Sequence, residues 1–206
     1  RWQEEEDASH HIGFTRYNIE ADSFLKSSFI TNGAVLCRND IKINFTAQGS
    51  HAQINGLSVT KDNQHHDKHI IVNHSNSECQ SDQLFKFVLS DNASGVFNGK
   101  VVVGEDTKST NANQSNKNLV LSPSAVMNAN PQLEIYAEDV KCSHGSTTGQ
   151  IDAEALFYLR SRGLSYNEAN RLILKGFVSD ILEKINDKEI KLYINDALSK
   201  KIKNML

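Results

Sequence analysis

Two residues with metal-binding side chains stand two positions apart in the run Cys142-Ser143-His144-Gly145. Thiolate and imidazole groups both bind transition metals, and imidazole is available unprotonated near neutral pH. The preceding residues alternate as in a β-strand, so Val140, Cys142 and His144 are expected to share one face of it. On that face Cys142 is expected to be a small buried side chain. His144, beside Gly145 at the predicted strand end, is therefore the better candidate for a metal ligand.

A second group of candidate ligands lies in the polar segment 65–69, which carries three histidines and Asp67, with His74 further along. Imidazoles and a carboxylate this close together suit a divalent transition metal. The segment is polar and precedes the apolar residues 70–72, so it is predicted to be a loop with solvated histidines entering a strand. Cys79 lies among polar turn residues and is expected to be an ordinary turn residue.

No catalytic or nucleotide-binding motif accompanies these residues. The sequence contains no G-x-S-x-G nucleophile elbow, no Walker A loop and no G-x-G-x-x-G. Glu134 and Glu138 are evenly spaced, but no substrate pocket follows from their spacing. The sequence therefore gives no motif from which an enzymatic activity could be predicted.

Composition excludes several classes of protein. A formal charge of −3 over 206 residues argues against a general nucleic-acid binder, and no apolar run approaches the ~20 residues of a membrane span. Three widely separated cysteines do not form a disulfide framework, which favours a reducing, cytoplasmic compartment. The chain begins at Arg1 in a polar run, so it is expected to be a fragment without its N-terminal portion.

Short apolar segments recur every ~8–12 residues from Phe14 to Tyr136, with turn residues between them, which predicts an all-β body. A sandwich or barrel is the usual structure for such a pattern. Even, short segments with weak hairpin signals also fit a solenoid, in which the asparagines between Asn92 and Asn130 would form ladders. The charged residues 1–12 are expected to be a frayed lead-in.

The period becomes helical after Gly149. Asp152 is expected to cap a first helix that stops at Gly163. Ser165 and Glu168 form a capping-box pattern for a second helix, and Asp187 opens a third. The predicted apolar stripes of the second and third helices are Ala169, Leu172, Ile173, Phe177, Ile181 and Ile185, then Ile190, Ile194, Ala197, Leu198 and Ile202. The lysines of the last helix, Lys191, Lys200, Lys201 and Lys203, are expected on a solvated face.

Several ordered motifs resemble the C-terminal part of the SufB/SufD family of iron–sulfur cluster assembly proteins, and its SufD members more than its SufB members. They are EIYAEDVKCSHG (134–145), LFYLRSRG (156–163), HSNSECQSDQ (74–83), FNGKVVV (97–103), TNANQ (110–114) and NLVLS (118–122). The similarity spans most of residues 30–178. It implies a mainly β protein with a C-terminal α part, a right-handed parallel β-helix (1–149) followed by a small helical domain (150–206).

The resemblance implies a non-catalytic scaffold subunit of the SUF complex. Such a subunit pairs with SufB through the β-helix and docks the SufC ATPase through its C-terminal helices; pairing with a second copy of itself is the alternative. A β-helix carbohydrate-active enzyme, such as a lyase, is a further alternative, although the chain offers no convincing set of converging acidic or basic residues. The compartment implied is the cytoplasm, or the plastid of a eukaryote.

The resemblance also assigns roles to single residues. His144 is the position that faces SufB in the family and takes part in building or holding the nascent cluster, and Cys142 is a weaker candidate. No cofactor is expected to stay bound to the isolated chain, whereas a transient iron–sulfur cluster is expected in the complex. The SufC docking region would include Phe157, Tyr158, Arg160 and Arg162. The ordinary alternatives are core packing for the two aromatic residues and a favourable helix-dipole position for the arginines.

Overall fold

The chain winds into a β-solenoid that is followed by three helices, in a computed structural model that describes residues 1–206. The strands in chain order are β1 (Trp2–Glu5), β2 (His10–Ile19), β3 (Phe24–Gly33), β4 (Leu36–Phe45), β5 (His51–Thr60), β6 (His65–His74), β7 (Gln80–Leu89), β8 (Ser94–Val103), β9 (Thr110–Val120), β10 (Val126–Ile135) and β11 (Val140–Gly149). The helices are α1 (Ala153–Ser161), α2 (Tyr166–Leu182) and α3 (Lys188–Lys203).

The strands form two parallel sheets that face each other. Sheet A contains the odd-numbered strands in the order β1-β3-β5-β7-β9-β11, and sheet B contains the even-numbered strands in the order β10-β8-β6-β4-β2. Leu36 pairs with His65, and His65 pairs with Ser94, so equivalent residues recur from coil to coil. Parallel neighbours cannot be joined by tight hairpins, and here each is joined through a strand of the opposite sheet. The predicted parallel β-helix with a C-terminal helical part is confirmed.

Strand alternation places every second residue in the interior between the two sheets. Most of these interior residues are apolar and form one core cluster, which includes Phe29, Ile43, Phe85 and Phe97. Other interior positions are polar, among them the buried Thr31. The strands, at ten or eleven residues apart from β1, are therefore longer than the apolar segments of the sequence, because polar interior residues interrupt the apolar pattern.

Hydrogen-bonded asparagines stack along the outside of sheet B, within the predicted range at Asn98 and Asn130 and also before it. Asn44 donates from Nδ2 to Asn18 Oδ1 over 2.8 Å, and Asn73 donates to Asn44 over the same distance. Asn130 donates to Asn98 over 3.3 Å. In each pair the amide nitrogen points toward the preceding coil, which leaves the oxygen directed toward the following one.

Two predictions about the N-terminal residues and the helix starts have different outcomes. The predicted frayed lead-in over residues 1–12 is wrong, because Trp2–Glu5 pairs with β3 and β2 begins at His10. The predicted helix caps are confirmed. Asp152 and Asp187 accept hydrogen bonds from the first turns of α1 and α3, and the capping box at the start of α2 is complete.

Helices α2 and α3 pack on the outer face of sheet A. A second buried cluster joins Leu57 and Val88 of the sheet to Leu174, Val178 and Ile194 of the helices. The buried stripe of α2 is Ala169, Asn170, Leu174, Val178, Ile181 and Leu182. It is rotated from the predicted stripe. Because the helices and the sheet share this cluster, the division into two domains at residue 150 stays a prediction.

A buried lysine fastens α2 to the sheet. The side chain of Lys86, on β7, is only 3% exposed. Its Nζ donates to Asp180 Oδ2 over 2.5 Å and to the carbonyl oxygen of Phe177 over 2.7 Å, and it lies 4.6 Å from the centre of the Phe177 ring. The ammonium group is thus paired with the carboxylate of Asp180 and with the carbonyl dipole of Phe177, as a buried charge requires.

One lysine of α3 contradicts the predicted solvated face. Lys201 is buried against the solenoid and donates from Nζ to Gln64 Oε1 over 3.2 Å. Burial lowers its pKa, while Asp7 opposes that shift. Conversely Ile190, predicted to lie on the buried stripe, is exposed. None of the three helices is both long enough and apolar enough to span a membrane.

Candidate functional site

The solenoid ends in two strands that each lack a neighbour on one side. β11 is the last strand of sheet A, and β10 is the last strand of sheet B at the same end. Such edges carry unpaired backbone N–H and C=O groups, which readily pair with a strand of another chain. Val126, Ile135 and Tyr136 are exposed large apolar residues in this region. We call this surface, made of β10, β11 and the turn between them, the open end.

His144 lies on the open end and is exposed. It occupies the row of β11 that faces the solenoid axis, because Cys142 on the same row packs against the interior cluster. The predicted shared face of Val140, Cys142 and His144 agrees with this alternation. The predicted reason for the exposure of His144 is wrong, however. β11 continues to Gly149, and His144 is exposed because no further coil covers it.

Cys142 is half-buried beside His144. Burial raises the pKa of its thiol, and the backbone of Ala112 opposes that shift only partly. The sulfur is therefore a protonated thiol near neutral pH, whereas metals bind the thiolate. Of the two residues singled out by the sequence, His144 is the one that offers an accessible ligand atom in the free chain.

The outward neighbour of His144 belongs to a hydrogen-bonded chain across sheet A. Ser143 Oγ donates to Asn113 Oδ1 over 2.8 Å, and Asn113 Nδ2 donates to Asp82 Oδ1 over 3.2 Å. Asp82 Oδ2 lies 2.9 Å from His51 Nε2. These contacts connect β5, β7, β9 and β11, so the backbone on either side of His144 is tied to the body of the solenoid.

The histidines of segment 65–69 do not form the alternative metal site. The segment is the start of β6 and not the predicted loop, so alternation divides its side chains between two faces. Asp67 and His69 face outward with Nε2 to Oδ1 at 2.9 Å, whereas His66 is completely buried. The structure describes the whole chain, and no group of three His, Cys, Asp or Glu side chains in it could hold a metal ion.

The buried histidines are held neutral by the protein. His66 donates from Nε2 to the Gly33 carbonyl over 2.8 Å, and burial lowers its pKa to about 3. His74 lies against the Phe45 ring and 2.8 Å from Ser81 Oγ, and burial lowers its pKa to about 4. Neither imidazole is accessible to a metal ion.

A fully buried cysteine, Cys37, neighbours His66 in the interior. Cys37 accepts hydrogen bonds at Sγ from Gln3 Nε2 and Asn39 Nδ2, over 3.1 and 3.0 Å. Lys68 lies on the same inner face, and burial lowers its pKa to about 8. Cys79, in the turn before β7, is also fully buried, as a structural turn residue can be. These polar interior groups are enclosed, unlike those of the open end.

The helical candidates lie on a separate surface. Phe157 and Tyr158 are 74% and 57% exposed, so the predicted core packing of these residues is wrong. The Arg160 guanidinium stands 5.9 Å from the centre of the Tyr166 ring, and the Arg162 guanidinium stands 5.4 Å from that of Tyr158. The result is an exposed aromatic surface with two cations, built on α1 and the start of α2, which we call the aromatic surface.

The open end itself was not anticipated from the sequence. The signal that could have located it is the coil repeat, since counting paired strands forward from β1 ends at Gly149 with no later strand to cover β11. The same count would have placed Gln114 of β9 directly beneath His144, because these two residues are Cα partners.

Comparison with known proteins identifies relatives over nearly the whole chain. The family model for the SUF system FeS cluster assembly, SufBD core domain, matches residues 1–177. The iron–sulfur cluster assembly protein SufD of Escherichia coli is 37% identical over 188 residues, 91% of this chain and 44% of that protein. A SufBD family protein of Synechocystis is 35% identical over 185 residues, 90% of this chain and 41% of that protein.

A plant relative extends this set. The chloroplastic protein ABCI7 of Arabidopsis thaliana is 32% identical over 192 residues, 92% of this chain and 40% of that protein. The chain thus spans less than half the length of each of these three relatives.

Proposed function

The chain belongs to the SufBD core family of the SUF iron–sulfur cluster assembly system, and from this membership we propose that it is a non-catalytic scaffold subunit of the SUF complex. In this proposal the solenoid pairs with SufB, and the helices after it dock the SufC ATPase. The relatives named SufD are named as assembly proteins, which agrees with a scaffold. The cytoplasm, or a plastid as for the chloroplastic relative, is the proposed compartment.

The observation that carries the proposal is the open end. β10 and β11 each present a ten-residue edge without a neighbour. Soluble proteins normally protect such edges, and an unprotected one is a template for a strand of another chain. The exposed Tyr136 between the two strands adds apolar area of the kind that anchors interfaces. A strand pairing with SufB at this end would cover both features.

A nascent iron–sulfur cluster is the proposed cargo of this interface. His144 stands on the surface that the partner would cover, so its imidazole would lie between the two subunits. Imidazole is a known replacement for thiolate on cluster iron. His144 and, if deprotonated, Cys142 supply at most two ligands, so the remaining ligands must come from the partner or from sulfide. No stable cluster is expected on the isolated chain for that reason.

The aromatic surface is the proposed SufC docking site. Phe157, Tyr158, Arg160 and Arg162 combine aromatic area with guanidinium groups, the residue types enriched where proteins bind tightly. Helix α2, which begins beside this surface, is fastened to β7 through Lys86. β7 pairs with β9, and β9 pairs with β11. A displacement of α2 by the ATPase would therefore reach the open end through paired strands.

Co-expression with SufB and SufC tests the pairing. The variant Tyr136→Asp places a charge on the open end, and we expect it to reduce the SufB recovered with the protein at least about tenfold, as for an interface anchor. The matched control is Ile12→Asp, which changes a residue that is 73% exposed on β2 at the opposite end of the solenoid. It should leave SufB recovery unchanged.

Two results would contradict the proposal. Wild-type recovery of SufB with Tyr136→Asp would show that the open end is not the pairing surface. If two copies of this chain form a stable pair that does not contain SufB even when SufB is present, the homodimeric alternative is favoured. Anaerobic absorption spectra of the complex test the cargo separately, because His144→Ala should diminish the cluster absorption while SufB and SufC remain bound.

A further inference from the structure

A buried oxygen directly beneath His144 lacks a hydrogen-bond partner. Gln114, in the interior row of β9, is 3% exposed, and its Oε1 has no partner in the structure. Its Nε2 donates to Gln83 Oε1, one coil below, over 3.3 Å. An unpaired buried amide oxygen costs roughly 1–3 kcal/mol, so such an atom is expected to have a partner in the functional state.

The register of the solenoid shows which residue follows this amide on the next coil. In the asparagine ladders of sheet B the amide nitrogen binds the preceding coil and the oxygen is left for the next. Gln114 has the same polarity, since its nitrogen is used by Gln83 of the preceding coil. The residue in register with Gln114 on the following coil is His144.

The neighbouring inward pairs of the same two strands already make such contacts. Ser146 is the Cα partner of Asn116 and donates from Oγ to its Oδ1 over 2.9 Å. Asn118 donates from Nδ2 to Thr148 Oγ1 over 3.1 Å, again between Cα partners. The backbone separation between β9 and β11 therefore suits side-chain hydrogen bonds at this face, and the amide oxygen of Gln114 makes none.

We propose that Gln114 is a positioning residue for His144, with Gln114 Oε1 accepting the N–H of one imidazole nitrogen. This inference rests on the proposed role of His144 as a ligand of the cluster under assembly. A ring with one nitrogen held as a donor has its lone pair on the other nitrogen. Metal-binding histidines are generally oriented in this way by a second residue that fixes the tautomer. The amide of Gln114 thereby fixes which imidazole nitrogen of His144 faces the partner subunit.

The unpaired oxygen of Gln114 is also the structural evidence that this position suits a metal-binding histidine. The amide of Gln114 is held by Gln83 and enclosed by the interior, and its oxygen is the atom left without a partner. An acceptor held in one orientation favours one tautomer and lowers the cost of ordering the ring when iron binds.

Nuclear magnetic resonance of the protein labelled with ¹⁵N-histidine tests the contact without any cluster. At a pH where imidazole is neutral, the ¹⁵N shifts of His144, assigned by their loss in His144→Ala, should show one dominant tautomer. Gln114→Met keeps the side-chain length but removes the acceptor, so both nitrogens should shift toward the averaged values of free imidazole. Gln114→Glu retains an acceptor oxygen and should preserve the single tautomer.

A neighbouring residue supplies the matched control. Asn113→Ala changes the adjacent residue of β9 on the outward face, where it binds Ser143, and should leave the His144 tautomer unchanged. An unaltered tautomer in Gln114→Met would overturn the inference. If that variant does not fold, averaged shifts in Gln114→Glu would overturn it equally, because an acceptor is present there.

The assembled complex separates this inference from the proposed function. With SufB and SufC bound, Gln114→Met should slow cluster loading about tenfold, the lower end of the effect of such supporting residues, and Gln114→Glu should restore part of it. Cluster formation that is unchanged in His144→Ala would refute the role of the histidine, while the tautomer measurement would still decide whether Gln114 orients it. If Gln114→Met loses the single tautomer of His144 but loads clusters at the wild-type rate, only the proposed effect of Gln114 on cluster assembly is refuted.

Discussion

Two cysteine–histidine pairs of the solenoid differ in position more than in chemistry. Cys37 and His66 are Cα partners on β4 and β6, and both are fully buried. Cys142 and His144 also belong to an inward row, but on the last strand of sheet A. The interior pair has a coil on both sides, whereas the second pair has a coil on one side only. The number of covering coils, and not the residue type, decides whether these groups are accessible.

Enclosure gives the interior pair partners inside the protein for part of its hydrogen-bonding capacity. Two amides donate to the Cys37 sulfur, and the imidazole of His66 donates to a backbone carbonyl. At the open end, the imidazole of His144 makes no hydrogen bond in the structure, and the oxygen of Gln114 beneath it is unpaired. His66 Nδ1 and Gln3 Oε1 also lack partners in the interior, so the two places differ in access: the enclosed atoms are closed to another chain, and those of the open end are not.

Acidification should have the largest effect, and it acts chiefly through the enclosed histidines. The folded-state pKa values of about 3 for His66 and about 4 for His74 lie below the unfolded value of 6.5. Below pH 6.5 the unfolded chain therefore binds protons that the folded chain does not, and stability falls as the pH falls. Between pH 7 and 5 we expect a loss of about 4 kcal/mol in the free energy of unfolding, measured by urea titration.

Matched variants assign that loss to the enclosed positions. His66→Gln removes one titrating imidazole, so about half of the pH dependence should disappear. His144→Gln, which changes an exposed imidazole at the open end, is the matched control for removal of a buried one. A pH dependence that is equal in His66→Gln and the wild type would contradict the contrast between enclosed and open histidines.

Much of this architecture could be predicted from the sequence, because strand alternation is a local property. The apolar segments predicted the β body, the capping residues predicted the helix starts, and the motif order predicted the stack. The shared face of Cys142 and His144 also follows from a period of two. What alternation cannot give is the pairing of distant strands, and the exposure of His144 depends on that pairing.

Several of the wrong predictions have a common physical origin in the burial of polar residues. The polarity of segment 65–69 predicts a loop, yet His66 and Lys68 face the interior and find partners there. The charge of Lys201 predicts a solvated side chain, yet it lies against Gln64. Composition measures the cost of burying a polar group, but the partner that offsets the cost comes from another coil.

Thiol labelling distinguishes the two cysteine environments by rate. Cys37 and Cys79 are fully buried, whereas Cys142 is half-buried at the open end. If opening a buried coil costs about 3 kcal/mol, the reactive population falls about 100-fold. A maleimide reagent should therefore label one thiol quickly and two at least about 100-fold more slowly. The Cys142→Ser variant should lack the fast phase, and three equal rates would contradict the difference in enclosure.

The smallest expected change is the stability of His144→Ala. The imidazole is exposed, so its removal costs no more than the one hydrogen bond proposed to Gln114, and the free energy of unfolding should fall by at most about 1 kcal/mol. His66→Ala, by contrast, leaves a cavity and an unpaired Gly33 carbonyl, and a loss of about 2 kcal/mol or more is expected. A large loss in His144→Ala, measured by the same urea titration, would mean that the imidazole already supports the isolated fold. It would then be a structural residue, and the argument that the open end reserves it for a partner would fail.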